Sequence, residues 1–437
     1  MKISVIGLGK LGYPMAEFLS SSGLSINCYD NDEKHVLKLK KKNHTFLEFE
    51  KGLEVFKSNG NDLNYFLDIQ KALIDTDICF VTVPTPSNTD GSFSNNYILS
   101  VLDDISKFLK KRKIAQNPFV ININSTVMPG SVDKEFIPFL EKKGFKNNHD
   151  FTFIYNPYYV ALGDVISGLE NPDLILIGCE DYYSKNLIKK IYNVIYTEEK
   201  YIYLNFYESE LTKLLVNSYL TLKISFSNMV KDLNISNLNV DISKILNAVG
   251  SDTRVGKKFL KPGGPFSGPC LPRDTIALNR YSKTENYKNF LSNSVVETNK
   301  NSLNNLKLEL HKFYKNGFDS ITFCGIGYKS HTPSLEESFI IDLMEYCETI
   351  KMKVYYYDPY IVQKIEFGKR ILENQIGDYS SLLFLPYTDK RFQKYVDSNQ
   401  YVFDIWYQLN GKNILRSFDH FKNIDQKNKV INLKKNN

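Results

Sequence analysis

Cysteine is scarce in this chain, and its spacing excludes more than its number. The 437 residues hold six, at Cys28, Cys79, Cys179, Cys270, Cys324 and Cys347. No two form a CxxC pair, so neither a zinc framework nor a disulfide scaffold is expected, and no metal site is read from the sequence. Long apolar runs are missing as well. None approaches the length of a membrane span, so no membrane partner is expected. The apolar stretch at residues 1–12 is short, broken by glycines and followed by no small-residue cleavage site, so a cytoplasmic location is expected. No dense Lys/Arg tract with interleaved aromatics occurs, which argues against nucleic acid. The excess of positive charge is a mild +6, and the lysines of the tail (Lys427, Lys429, Lys434, Lys435) read as a solvated end.

At 437 residues the chain exceeds one ordinary core, and two or three domains are expected. Residues 2–6 read as a buried strand. Gly7-Leu8-Gly9-Lys10-Leu11-Gly12 follows at once, then a helical pattern from Tyr13 to Ser21 and a second strand, Ser25–Tyr29, ending at Asp30. Strand, glycine turn, helix, strand and acid, in that order, make a dinucleotide site. Gly7 makes the tight turn, Gly9 lets a pyrophosphate approach, and Gly12 lets helix and strand pack. Amides at the helix N-terminus, around Lys10 and Leu11, hold the phosphates. Asp30 accepts ribose hydroxyls and repels a 2′-phosphate, which favours NAD over NADP.

Asp77–Val83 is a further buried strand, ending in Pro84-Thr85-Pro86. Phe119–Ile123 is another, ending in Asn124-Ser125-Thr126-Val127-Met128-Pro129-Gly130. Ligands of open α/β sheets bind at such carboxyl edges, so Val83, Pro84, Thr85, Ser125 and Thr126 are candidate contacts. Taken singly, the three hydroxyls serve equally well as helix caps. Phe151–Tyr155 and Leu174–Gly178 are expected to complete the sheet, with a turn and short helix at Asn156–Gly163 between them. A long helix is expected from Tyr207 to about Asn234. Lys213 and Asn217 lie i, i+4 on it and share a face. From Ser320 the pattern restarts. Ile321–Ile326, Lys353–Tyr357, Ser381–Leu385 and Tyr401–Asp404 read as strands, and a helix is expected from Leu335. The fold class is α/β, with two doubly wound Rossmann-like domains joined by a helical middle with a long central helix. The expected boundaries are 1–205, 206–312 and 313–437.

Residues 254–274 read Arg-Val-Gly-Lys-Lys-Phe-Leu-Lys-Pro-Gly-Gly-Pro-Phe-Ser-Gly-Pro-Cys-Leu-Pro-Arg-Asp. Four glycines and four prolines surround one thiol, Cys270; the other five cysteines sit in or beside apolar runs. Four cations (Arg254, Lys257, Lys258, Lys261) precede the thiol and Arg273 follows it. Nearby cations favour a thiolate, a strong nucleophile. Read alone, the segment fits a rigid surface loop with an inert buried cysteine slightly better.

Taken together, these motifs resemble the UDP-glucose/GDP-mannose dehydrogenase family. The resemblance is carried by Gly7–Gly12, Ser125–Gly130, Asn156-Pro157, Asn171-Pro172-Asp173, Glu210–Leu214, Phe266–Asp274 and Tyr357-Asp358-Pro359, which span nearly the whole chain in order. It implies a four-electron oxidation of a nucleotide sugar at C6, with NAD as cofactor. UDP-glucose is the first expectation; GDP-mannose and UDP-N-acetylhexosamines are alternatives. By the same resemblance Cys270 attacks the intermediate aldehyde, and a thiohemiacetal becomes a thioester that water hydrolyses. Lys213 stabilises oxyanion character and Asn217 stands beside it. Asp274 orders a catalytic water with Thr126. Arg273 is placed at the cofactor. The substrate is expected against Tyr158, Tyr159, Val160, Lys213, Asn217, Arg254, Phe259, Lys261, Phe266, Gly268 and Lys329. The resemblance also implies a nucleotide-diphosphate site in the second α/β domain and a homodimer core on the long helix. The product implies a supply of uronic acid for surface polysaccharide.

The chain departs from the family at several positions. Tyr158 stands where a glutamate usually follows Asn-Pro and acts as the base in thioester hydrolysis. A phenol with a pKa near ~10 is a poor base at neutral pH. Leu162 replaces a second common acid, and Glu336 an arginine. Asp404 is followed by Ile405-Trp406-Tyr407 rather than by glycine and arginine. Two rival readings remain at the level of sequence. One is a two-electron hydroxyacid dehydrogenase that ignores Cys270. The other is a nucleotide-sugar-binding protein that has lost catalysis.

Overall fold

A computed structural model describes residues 2–41, 63–112, 117–233, 240–387, Phe392, Tyr395 and 401–417 without 408, 410 and 412. The lysines of the tail and the Asn234 end expected for the long helix lie outside these residues. The chain divides into two compact units, Met1–Leu215 and Val216–Asn437. No helix among the described residues is long and apolar enough to cross a membrane.

The first unit is built on eight strands: β1 (Lys2–Ile6), β2 (Ser25–Tyr29), β3 (Leu63–Phe66), β4 (Ile78–Val81), β5 (Phe119–Ile123), β6 (Phe151–Tyr155), β7 (Ile175–Gly178) and β8 (Tyr201–Leu204). Their order in the sheet is β3-β2-β1-β4-β5-β6-β7-β8. The pairings are parallel except for β6 with β7. The central strands are mostly apolar because both faces are covered; Ser4, Asn27 and Asn122 are their buried polar exceptions. Ile3, Val5, Ile26, Cys28 and Phe80 enter one core; Ile6, Cys79, Val81, Ile121 and Ile123 enter the other. Alternate side chains of a strand point to opposite faces, so one sheet feeds two cores, each roofed by helices. The order turns back at β1, with β2 on one side and β4 on the other. That reversal opens the crevice in which such sheets bind ligands.

The second unit holds a sheet of six: β9 (Ser320–Cys324), β10 (Lys353–Tyr357), β11 (Lys369–Arg370), β12 (Leu382–Leu385), β13 (Tyr401–Asp404) and β14 (Ile414–Leu415). The order is β11-β10-β9-β12-β13-β14, parallel throughout. Helices Ile242–Ser251, Leu271–Thr284 and Phe290–Lys315 precede it.

The long helix runs from Phe206 to Asp232 without a glycine or proline. A reciprocal cap starts it. The Asn205 side chain accepts the Glu208 N–H at 2.8 Å, and the Glu208 carboxylate accepts the Asn205 N–H at 3.0 Å, which satisfies two donors that a helix start leaves over.

Three expectations need correction. The sheet does not end at Gly178 but continues to β8. Asn156–Gly163 contains no helix; the first helical residue is Val165. Pro157 brings no N–H, Gly163 sits at φ +83°, and the Tyr158 carbonyl is taken by Lys213, so no run of helical hydrogen bonds forms there. The helix expected from Leu335 starts at Phe339, after Glu337 at φ +52°.

Candidate active site

The glycine turn after β1 has the shape its sequence demands. Gly7 lies at φ +94°, where a side chain is strained. A Cβ on Gly12 would sit 1.9 Å from the Gly7 oxygen and 2.4 Å from Thr82 Oγ1, so only glycine lets this helix start so close to the sheet. Above Gly9 the space is open, with nothing within 4 Å of an added Cβ. Gly9 and Lys10 are exposed and Leu11 is half-buried. At the end of β2, Asp30 accepts the Leu8 N–H at 2.7 Å and the Asp32 N–H at 2.9 Å. It remains half-buried, and a carboxylate has further lone pairs for ribose hydroxyls. The open cradle over Gly9 and the acid beside it fit NAD.

The edges of β4 and β5 are laced together by their own hydroxyls. Ser125 Oγ donates to the Val83 carbonyl at 2.5 Å, and Thr85 Oγ1 donates to the Thr126 carbonyl at 2.7 Å. Neither side chain caps a helix. Val83 and Thr126 are half-buried and Pro84 is exposed, beside these bonds.

The loop beyond Thr126 is tied to the long helix by a carboxylate that no sequence pattern marks out. Glu210 is fully buried. Its Oε1 accepts the Val132 N–H at 2.9 Å, and its Oε2 accepts the Gly130 N–H. Burial pushes its carboxyl up to about 7, against the opposing pull of the Val132, Gly130 and Ser131 amides. One turn on, Lys213 is 8% exposed. Its Nζ donates to the Tyr158 carbonyl at 2.8 Å and lies 4.4 Å from the centre of the Tyr159 ring. The only signal for Glu210 was its position three residues before Lys213, on the same helix face.

Tyr158 does not stand in for a glutamate. Its hydroxyl meets that of Tyr192 at 2.8 Å, and Tyr192 donates in turn to Asn156. Burial pushes the Tyr158 phenol up from its ordinary value, further from any use as a base. Tyr158 and Val160 pack against the core of the first unit. What Tyr158 presents toward Lys213 is its backbone.

In the second unit Cys270 is the N-cap of helix Leu271–Thr284. It is the one exposed thiol of the six; Cys28, Cys79, Cys324 and Cys347 are buried and Cys179 is half-buried. Burial raises Cys179 to about 11 and Cys347 to about 12, so these two stay protonated at neutral pH. Asp274, on the first turn of that helix, is 1% exposed. It accepts the Asn217 amide at 2.6 Å and lies 3.5 Å from Arg273 Nε. Asn217, Arg273 and Asp274 therefore form one hydrogen-bonded group, two of whose members follow the thiol closely in sequence. Phe266 is buried and Lys261 exposed. Gly268 is at φ +85°, and a Cβ there would meet the Tyr328 ring at 2.3 Å. Phe259 is exposed at φ +62°. Arg254 is held at the surface by Asp252, 2.6 Å away, and Lys329 is half-buried after the turn that follows β9.

That second turn copies the first and closes it. Asp358, at the end of β10, is 1% exposed and accepts the amides of Ile326 and Gly327 at 2.9 and 3.3 Å and those of Tyr360 and Ile361 at 2.8 and 3.2 Å. The Tyr387 hydroxyl sits 2.1 Å from where a Cβ on Gly325 would be. The acid that would face a ribose is saturated by the protein, and the groove is filled by a phenol.

Residues 1–196 match the NAD binding domain, and residues 207–301 the central domain, of the UDP-glucose/GDP-mannose dehydrogenase family. The Bacillus subtilis protein YtcA is 30% identical over 362 residues, 82% of this chain and 82% of its own length. The UDP-glucose 6-dehydrogenase of Rickettsia prowazekii is 29% identical over 379 residues, 86% of this chain and 84% of its own. A solved UDP-glucose dehydrogenase from Pyrobaculum islandicum matches the fold with a TM-score of 0.82 at 23% identity, over 93% of this chain and 94% of that one. The UDP-N-acetyl-mannosamine dehydrogenase Cap5O of Staphylococcus aureus does so at 0.76 and 22%, over 95% and 97%.

Proposed function

Because the chain belongs to the UDP-glucose/GDP-mannose dehydrogenase family, and is an NAD-dependent nucleotide-sugar dehydrogenase, we propose that it oxidises the C6 alcohol of UDP-glucose to the carboxylate through a thioester on Cys270. The observation that carries this reading is the placement of Cys270. It is the one exposed thiol of the chain, and it caps a helix whose first turn carries Arg273 and Asp274, the latter bonded to Asn217 of the long helix.

In this reading the glycine turn, Asp30 and the Val83–Thr85 and Ser125–Thr126 edges hold NAD, which supplies a hydride acceptor when bound. The C6 alcohol first loses a hydride from carbon and a proton from oxygen, and Cys270 sulfur then bonds to the carbon of the resulting aldehyde while its carbonyl oxygen takes a proton. The thiohemiacetal then loses a hydride from carbon and a proton from oxygen, leaving a thioester. Water adds, the sulfur–carbon bond breaks, and acid and thiol are released. Each step through an oxyanion gains from a fixed cation, and Lys213 is the one proposed. Asp274 and Thr126 order the water. Tyr158 supplies no base, so hydrolysis is the slow step and the thioester accumulates.

Residues 1–205 take the cofactor in this scheme, and 313–437 the nucleotide diphosphate. The closed groove at Asp358 and Tyr387 agrees with a second sheet that takes no dinucleotide of its own. Residues 206–312 carry the thiol loop and the contact with a second copy. Support for a homodimer comes from the long helix. Leu215, Tyr219, Phe226 and Met229 are exposed along it, with Leu222 half-buried between them and Leu233 exposed just past its end. Their spacing alternates four and three, the pattern of helices that pair. Glutamate at Leu222 and Phe226 is expected to leave a monomer in sedimentation; an unchanged dimer would refute this contact. The acid product suits supply of uronic acid for surface polysaccharide.

The name of the Rickettsia relative favours UDP-glucose, and that of Cap5O keeps UDP-N-acetyl-mannosamine as the second reading. Comparing kcat/KM over UDP-glucose, UDP-galactose, GDP-mannose and UDP-N-acetylhexosamines tests the choice. UDP-glucose is expected to lead by about tenfold or more, a transition-state preference of roughly 1.4 kcal/mol. A lead by another sugar would move the assignment to that sugar.

A further inference from the structure

Before Cys270 the chain runs from Lys261 to Gly268 in neither helix nor strand, so its peptide groups need other partners. Two asparagines supply them. Asn228, on the long helix and 1% exposed, accepts the Gly263 N–H at 3.0 Å and donates its amide to the Gly264 carbonyl at 2.9 Å. Asn299, on helix Phe290–Lys315, does the same to a single residue. It accepts the Phe266 N–H at 2.8 Å and donates to the Phe266 carbonyl at 3.0 Å. A carboxamide carries one acceptor and donors in the geometry of a peptide unit, so each asparagine replaces a neighbouring strand. No other side chain of that length does both.

The loop is pressed from its other side. Lys231 Nζ, one turn after Asn228, donates to the Gly263 carbonyl at 2.7 Å. A Cβ on Gly263 would meet the Trp406 ring at 2.3 Å, and one on Gly264 the Phe339 ring at 2.4 Å. The two glycines are therefore caught between amide clamps and aromatic faces. Only Ser267, Gly268 and Pro269 separate Phe266 from Cys270.

We infer that Asn228 and Asn299 are positioning residues for Cys270: they hold the backbone of the thiol loop as two surrogate strand partners and so fix where the sulfur stands. This rests on Cys270 being the nucleophile. A displacement of about an ångström at a reacting atom costs up to about a hundredfold in rate. Removing one clamp is thus expected to lower kcat by about tenfold or more with KM for NAD unchanged.

The test uses Asn228→Ala and Asn299→Ala, with Asn299→Asp as a milder variant that keeps the acceptor and loses the donor. Trp406 is the only tryptophan of the chain and packs on Gly263, so its emission reads the loop without turnover. In each variant, acrylamide is expected to quench Trp406 more strongly than in the wild type, and kcat is expected to fall alone. Wild-type quenching together with wild-type kcat would overturn the inference. So would a general rise in both KM values with a lowered melting temperature, the mark of a merely structural role. If the alanine variants do not fold, Asn299→Asp decides by the same two readouts. Failure of the nucleophile reading itself looks different, because Cys270→Ser would then keep full activity.

Discussion

Cys270→Ser is expected to lower steady-state acid formation by about a thousandfold or more while NAD binding stays intact. A serine hydroxyl holds its proton at neutral pH and adds poorly to an aldehyde, and an oxygen ester lacks the reactivity of a thioester. The first oxidation needs no thiol, so one equivalent of NADH per site is expected to form at the wild-type rate. NAD binding is expected to be spared because the cradle proposed for it, at Gly7, Gly9, Gly12 and Asp30, lies in Met1–Leu215 and Cys270 in Val216–Asn437. Wild-type enzyme quenched during turnover is expected to carry the added mass of the sugar nucleotide on the Cys270 peptide. The other cysteines are at most half-exposed, so the label is expected on that peptide alone. The buried Tyr158 phenol makes accumulation reasonable, since burial raises it away from a base. A clean thiol during steady state would remove slow hydrolysis from the account. Full activity in Cys270→Ser would remove the nucleophile and favour the two-electron reading.

Lys213→Ala is expected to lower kcat by about a hundred- to a thousandfold, the usual cost of losing a preorganised group at a developing oxyanion. Lys213 has little freedom. Its ammonium is buried, bonded to the Tyr158 carbonyl and set over the Tyr159 ring. A held charge costs no reorganisation when negative charge appears on substrate oxygen. Lys213→Arg is not expected to rescue, because a planar fork cannot sit where a compact ammonium fits. The measurement is kcat and KM for both substrates in each variant. A kcat within about threefold of wild type for Lys213→Ala would show that the lysine only braces the Tyr158 backbone.

The glycine turn proposed for the cofactor was legible because its shape is written in backbone constraints. Gly7 needs its positive φ, and Gly12 has an oxygen 1.9 Å from its missing side chain, so the spacing of glycines fixes both the turn and the helix. The strands around them announced themselves as largely apolar runs at Ser25–Tyr29, Asp77–Val83 and Phe119–Ile123, of which the fold shortens only the second, to Ile78–Val81. Strands β3 and β8 did not, because their burial is only partial and their pattern is weak. What a polar side chain binds was not legible either. Glu210 and Asn228 act on backbone amides distant in sequence, and nothing in their neighbours marks them out. Tyr158 showed that a carboxylate was missing. That its phenol turns to Tyr192, leaving only a carbonyl for Lys213, required the folded chain. The closing of the second glycine turn by Asp358 and Tyr387 was equally hidden, since Asp358 ends its strand much as Asp30 ends β2.

The central claim is a four-electron oxidation carried by one thiol. Its most direct test is the yield of NADH from a limiting amount of UDP-glucose, with sugar well above enzyme and the reaction run to completion. Two NADH per sugar are expected, with the acid as the product. One NADH per sugar, with free aldehyde, would contradict the claim.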